Sequence, residues 1–273
     1  LLSPFDFKIS MKTLGSNIKI NNEQIELESI KTKISLLSFI KNQFSISNLQ
    51  ISTKLVKIKD LITLSRSLNN STELIILDKF IKGGSLIAEI DLNFDEKGRI
   101  KNDYSINGLL KNLRFTFFKK YNLKNLDFIF NVQNKKAQLE KIRMSLNKIN
   151  FSSDLINLEK IDNEFLIKGK INTNQQEILK NDIANFGMDF IQDLNFNELT
   201  FSSQNIFDFK IDKKYKIKDF NIKSEISLNE LKYNSKTSLD KYFPEFENKI
   251  FLKDHKIEFN KNKRLLSIKG KGK

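Results

Sequence analysis

The one imidazole of the chain, His255, sits in the stretch KDHKIEF near the carboxyl end. A histidine there could act as a general base or bind a metal, and either role needs partners within reach. Glu258 lies three residues on, and in a strand that odd spacing puts the two side chains on opposite faces. A Ser-His-Asp relay would have to recruit distant residues, and there is no G-x-S-x-G elbow. The absence of cysteine removes thiolate nucleophiles, disulfides and cysteine–zinc sites. Neither a G-x-x-x-x-G-K-[ST] loop nor a G-x-G-x-x-G fingerprint is present. Carboxylate pairs such as Asp95/Glu96 fall in a turn and read as solvated. The residues therefore point to a protein that is not an enzyme and uses no cofactor and no metal.

Charge offers a second kind of chemistry. The 273 residues carry 47 Lys and Arg against 33 Asp and Glu, a net charge of +14 that would suit nucleic acid or an anionic membrane surface. Only Arg66, Arg99, Arg114, Arg143 and Arg264 are arginine, the residue that makes bidentate phosphate and guanine contacts. The lysines are spread mostly over the outward positions of alternating segments, as a solvated face requires. No nucleic-acid partner is expected. No apolar run approaches the 18 or so residues of a spanning helix, and no signal peptide is seen. The chain starts at Leu1 and ends in LLSIKGKGK, so both ends are expected to continue into a longer protein.

What remains is alternation. In GGSLIAEIDLNFDEKGRI (83–100), Ala88, Ile90, Leu92 and Phe94 point one way and Glu89, Asp91 and Asn93 the other. Asp95-Glu96-Lys97-Gly98 then turns the chain, and Gly98 can take the positive φ of such a turn. The pattern recurs over 5–9, 16–30, 44–51, 100–108, 113–118, 126–132, 137–146, 149–158, 164–171, 194–201, 206–212, 215–228, 249–259 and 264–270. Phase slips between Ile46 and Leu49, and between Ile217 and Phe220, call for β-bulges. Three segments carry helical spacing, near 32–42, 56–68 and 175–193; the last places Leu179, Ile183, Phe186 and Phe190 on one face behind an Asn174/Glu177 capping pair. Residues 73–82 fit a short helix or a buried strand. About fourteen strands at ~4.8 Å spacing run to ~65 Å, more than three short helices can cover. Either the sheet folds on itself as a sandwich or barrel, or something outside the chain covers its apolar face.

Three stretches resemble the AsmA-like superfamily of bacterial envelope proteins, which includes the YhdP and TamB groups. They are TKISLLSFIKNQFSISNLQIS (32–52), KFIKGGSLIAEIDLNFDEKGRIKNDYSINGLLKNLRFTF (79–117) and LEKIRMSLNKINFSSDLINLEKIDNEFLIKGKI (139–171). The likeness covers roughly 15–172; 173–194 reads as a helix and 195–273 as continuing strands. The resemblance implies one elongated domain over 1–273, a mostly β, long antiparallel meander curled into a taco-like trough, as part of a longer protein. It implies a periplasmic bridge of the Gram-negative cell envelope that moves phospholipid acyl chains between inner and outer membranes. An inner-membrane anchor and the contacts with either membrane would lie outside this chain.

On that reading the lipid groove would be lined by Ala88, Ile90, Leu92, Phe94, Tyr104, Ile106, Leu113, Phe115, Phe117, Leu126, Phe128 and Phe130. Phe165, Ile167, Phe207, Phe209, Ile211, Phe220 and Ile222 would continue it. Each would serve equally as core in a closed sandwich. Gly83, Gly84, Gly98, Gly108 and Gly169 would allow turns, bulges and bends. Two other functions fit the same pattern: an assembly factor that offers sheet edges to an outer-membrane client, or a basic β-sandwich that binds nucleic acid.

Overall fold

A computed structural model describes residues 2–3, 7–20, 23–68, 71–117, 121–184, 196–214, 216–234, 244–245, 249–263 and 265–272. It is mostly β, as the alternation requires. The strands are β1 (Leu2–Ser3), β2 (Lys8–Leu14), β3 (Asn17–Ile20), β4 (Glu23–Ser35), β5 (Ile46–Thr53), β6 (Val56–Lys57), β7 (Ile81–Asn93) and β8 (Ser105–Phe117). They continue as β9 (Tyr121–Gln133), β10 (Lys136–Leu146), β11 (Ile149–Ile161), β12 (Glu164–Leu179), β13 (Phe196–Ile211), β14 (Ile217–Asn234), β15 (Lys249–Lys261) and β16 (Leu266–Lys271). The helices are α1 (Leu36–Ile40), α2 (Ile58–Leu68), α3 (Thr72–Phe80) and α4 (Lys180–Ala184).

Strand order follows chain order, β1-β2-β4-β5-β7 and onward to β16, with β3 beside β4 and β6 beside β7. This is a long antiparallel meander, and the sheet does not close into a barrel. The chain divides into two compact units, Leu1–Phe115 with Asn125–Glu140, and Thr116–Lys124 with Lys141–Lys273.

Both expected bulges are present. Lys33 pairs with Asn48 but Ile34 with Ile46, so Ser47 is the extra residue that returns Ile46 to the face of Leu49. In β14 the register slips by one between Asn221 and Lys218, where Asp219 takes a φ of 52°. The 95–98 turn is built by the Asp95 carboxylate, which accepts from the backbone N–H groups of Lys97 and Arg99 at 2.9 Å each. Gly98 takes φ 77° there.

The helices differ from expectation at two places. Residues 32–35 belong to β4, where Thr32 pairs with Leu49, and only Leu36–Ile40 turn helical behind Ser35, whose Oγ accepts from Ser38 N at 3.3 Å. Residues 175–179 are strand as well. After a bulge at 174–175, Gln176, Glu177, Ile178 and Leu179 pair with Phe201, Thr200, Leu199 and Glu198. The ladder wins because Ile178 is buried by it and the Gln176 amide exchanges two hydrogen bonds with the Asn150 backbone. Among the described residues the helix is α4, which begins at Lys180, and Phe186 and Phe190 lie outside the described residues. Residues 56–68 behave as read apart from the two-residue β6, and the ambiguous 73–82 segment is α3 as far as Phe80, with Ile81 and Lys82 opening β7.

Helix α2 supplies the core of the first unit. Leu64 joins Ile25, Leu27 and Val56, while Ile58 and Ile62 join Ile81, with Leu86, Leu110, Leu113 and Phe115 packed around them. Burying each such side chain contributes about 2 kcal/mol. Asp78 of α3 ties the two helices together, 2.9 Å from Lys59 Nζ and 2.6 Å from Arg66 Nη1.

Candidate functional site

Direct cross-strand partners in an antiparallel sheet share a face, so register assigns each candidate side chain to a side. In the first unit Ile30 pairs with Ile51, Ile51 with Ile90, and Ile90 with Ile106, an unbroken aliphatic row over four strands. The next row runs Met11, Thr32, Leu49, Leu92, and the one beyond it Ile9, Ile34, Ile46. Ala88 pairs with Gly108 on the same face. A Cβ at Gly108 would collide with the Ile87 carbonyl oxygen and lie 2.5 Å from the Phe130 ring, so the glycine is where Phe130 crosses the sheet. Phe128 stands beside Phe130, centroids 6.2 Å apart, and Leu126 precedes them in the same alternation. Phe94 packs on Phe44 at 5.6 Å.

The opposite side is polar. Lys12, Lys31, Gln50, Asp91 and Ser105 form one cross-strand row. Asp91 accepts from the amides of Asn48 at 2.5 Å and Gln50 at 2.8 Å. The unit thus has one wet face and one apolar face, and most apolar side chains named here are only half-buried.

Three of the expected groove residues of this unit sit differently. Leu113 and Phe115 reach the apolar face through a bulge at Asn112 (φ 52°), but α2 and α3 lie over them, with the Phe80 ring 5.6 Å from Phe115. They are helix-covered core. Tyr104 is half-buried and spends its hydroxyl on the Asn134 carbonyl at 2.5 Å. Phe117 ends β8, and its side chain lies outside the described residues.

In the second unit all seven candidates share one face. Phe165 pairs with Ile211, Ile167 with Phe209, and Phe207 with both Gly169 and Ile222. The Phe209 ring lies 5.8 Å from Phe207 and 6.0 Å from Phe220. Phe165 is 47 % exposed. Ile156 and Leu158 extend the face through β11, and Ile226, Ile257 and Phe259 extend it toward β16. Lys261 borders it, with Nζ 5.7 Å from the Phe220 centroid.

A polar interruption on this face was not legible in the alternation. Thr173 pairs with Ser203 and Asn205 with Ser224; Thr173, Ser203 and Ser224 are buried. The Asn205 amide donates to the Ile171 carbonyl at 3.1 Å and to Ser203 Oγ at 3.0 Å, while Thr173 Oγ1 has no hydrogen-bond partner among the described residues. Short polar residues at inward positions look outward to a hydropathy reading; the local signal was their small size in a strand otherwise filled by Phe and Ile.

The reverse side carries an ionic network. Glu164 lies 3.0 Å from Lys218 and 3.8 Å from Lys210; Lys218 also reaches Asp212 at 3.3 Å, and Lys210 reaches Asp219 at 3.3 Å. Lys263 closes it on Asp219. Hydrogen bonds from the Lys216 and Lys214 backbones hold Asp212 below its ordinary carboxylate value, and the Lys263 ammonium does so for Asp219.

His255 pairs with Leu228 on the apolar side while Glu258 pairs with Glu225 on the other, so the two do not meet. The His255 Nδ1 lies 2.8 Å from the Lys253 carbonyl oxygen. Among the described residues no three His, Asp or Glu side chains converge as a metal would need. No described helix is long and apolar enough to cross a membrane. No family model, curated protein or solved structure matches the chain.

Proposed function

We propose that this chain is a segment of a periplasmic, AsmA-like bridge whose sheet carries phospholipid acyl chains on its apolar faces between inner and outer membranes. The observation that carries the reading is the pairing of apolar with apolar across successive strands, concentrated on one face in each unit; on the other face of the first unit Ile87 pairs with Leu109 among polar rows. The residues of the apolar faces are mostly half-buried rather than sealed, and α2 and α3 close one end of the first unit's strands, over Ile25, Leu27, Ile81, Leu113 and Phe115, with Ile30 and Ile51 packed against that core. Rows such as Ile30, Ile51, Ile90 and Ile106 suit acyl chains, which lose about 0.8 kcal/mol for each CH₂ exposed to water, while the Thr173, Ser203 and Asn205 band interrupts the face of the second unit. Head groups stay hydrated. Weak, non-specific contacts let the lipid slide, and the reading needs no chemical step and no cofactor.

The test is native mass spectrometry of the full 273-residue chain purified from a bacterial host without detergent. Several phospholipids per chain, of mixed head group, are expected, with most of them lost in the Ile90→Asp and Phe209→Asp variants. A lipid-free wild-type chain would overturn the reading.

A further inference from the structure

The ends of the strands in the first unit that lie away from α2 form a surface of their own. Contacts tie it together: Leu36 N–H donates to the Phe7 carbonyl at 2.8 Å, and Phe44 N–H to the Glu96 carbonyl at 3.3 Å. Phe44 lies against Phe94 and against Gly98 of the 95–98 turn. Tyr104 reaches across to Asn134. What this surface exposes is not what a strand end in water exposes. Phe39 is 68 % exposed and Ile40 77 %, and Leu37, Phe44 and Ile100 are exposed with them. Such a cluster of large side chains at successive tips is an interaction surface.

Charge identifies the partner. The segments that form this end, 7–8, 36–45, 94–104 and 133–136, hold seven Lys or Arg and three Asp or Glu. One of those acids, Asp95, is neutralised by the Arg99 guanidinium at 2.8 Å. Lys41, Lys97 and Lys101 are exposed beside the apolar tips. Bulky apolar side chains ringed by lysines match the boundary between acyl chains and anionic head groups, where the tips bury and the ammonium groups stay at the phosphates.

We infer that this end of the first unit docks on an anionic bilayer surface, with Phe39 and Ile40 inserted and Lys41, Lys97 and Lys101 against lipid phosphates. The row Ile9, Ile34, Ile46 leads from this surface into the apolar face, so a docked chain would have its lipid-facing rows beside the bilayer. The inference adds a membrane contact to the lipid-carrying reading and stands on different residues.

The experiment is flotation of the full chain with vesicles of phosphatidylethanolamine and phosphatidylglycerol, compared with vesicles of phosphatidylcholine alone. Binding to the anionic vesicles is expected, weakening as salt rises, and falling about tenfold in a Phe39→Asp/Ile40→Asp variant. Both positions are exposed, so circular dichroism of the variant should match the parent. Because the chain has no cysteine, an environment-sensitive dye on Ile40→Cys reports insertion directly. Its emission should shift to the blue with anionic vesicles, while a dye on Lys57→Cys, at the other strand end, should not shift.

Absence of vesicle binding overturns the inference, as does binding that ignores the Phe39/Ile40 substitution. So does concentration-dependent self-association abolished by that substitution, which would make a second copy the occupant. Native mass spectrometry on the same samples separates the two readings. Bound lipid without docking leaves lipid carriage standing and removes this surface; docking without bound lipid does the reverse.

Discussion

Phe209 and Phe115 look alike in the sequence, each an aromatic residue in an alternating strand, yet they occupy opposite environments. Phe209 stands between Phe207 and Phe220 on a face that no described helix covers, whereas Phe115 lies under α2 and α3. Phe209→Asp should therefore reduce bound lipid with little change in the far-ultraviolet circular dichroism. Phe115→Asp should cost about 3–5 kcal/mol by burying an unpaired carboxylate, seen as a large fall in the denaturation midpoint. Gly108 makes a similar point about space. With the Ile87 carbonyl and the Phe130 ring both within reach of a new Cβ, Gly108→Ala should destabilise by about 1–3 kcal/mol in urea titration. The turn carboxylate of Asp212 makes a pH-dependent contribution. Its folded value is depressed, chiefly by the Lys216 backbone hydrogen bond, so its stabilisation is present above the ordinary value of 3.8 and lost as pH falls through the lower folded value. Asp212→Asn keeps an acceptor but not the charge. The gap in thermal midpoint between parent and variant, small at pH 7, should close only at pH values below 3.8.

At the scale of elements, α2 decides where the apolar face stops being open. Its buried stripe, Ile58, Ile62 and Leu64, seals the strand ends around Ile25, Leu27 and Ile81. Ile62→Ala should lower stability by about 2–4 kcal/mol and expose Leu86 and Leu110 as well; the check is denaturant unfolding with hydrogen exchange read over β7 and β8. Helix α2 was legible in its 3.6-residue period, because packing against one face imposes that period. The period of 175–193 misled for a related reason. Leu179 and Ile183 are spaced as a helix would space them, but 176–179 face a long partner strand, and alternate residues of β13 offer pairs of backbone hydrogen bonds that solvent would otherwise supply. Pairing along a strand sixteen residues long outweighs the helical propensity of Gln176, Glu177 and Leu179, worth less than about 1 kcal/mol per residue. The same competition draws 32–35 into β4.

For the whole molecule, an antiparallel order that follows the chain leaves the sheet with edges. Strand β16 is mostly exposed and carries Lys269 and Lys271, charges that discourage edge pairing. Amide exchange should accordingly be fastest in β16 and slowest in β12, β13 and β14, which are paired on both sides; uniform protection would contradict the open order. What the sequence determined by itself was the element type and the side on which most residues fall, because a two-residue period and turn chemistry are local and need no knowledge of neighbours. It also placed bulges between Ile46 and Leu49 and between Ile217 and Phe220, since a slip in phase must be absorbed where it occurs; the register puts them at Ser47 and Asp219. Tertiary structure alone decided the exact registers between strands, that the sheet stays open, and which apolar side chains a helix covers. It also set buried polar residues such as Thr173 and Ser203 inside an apolar face. Those outcomes depend on contacts between residues tens of positions apart, and no short stretch of sequence carries the free energy of a contact it does not itself make.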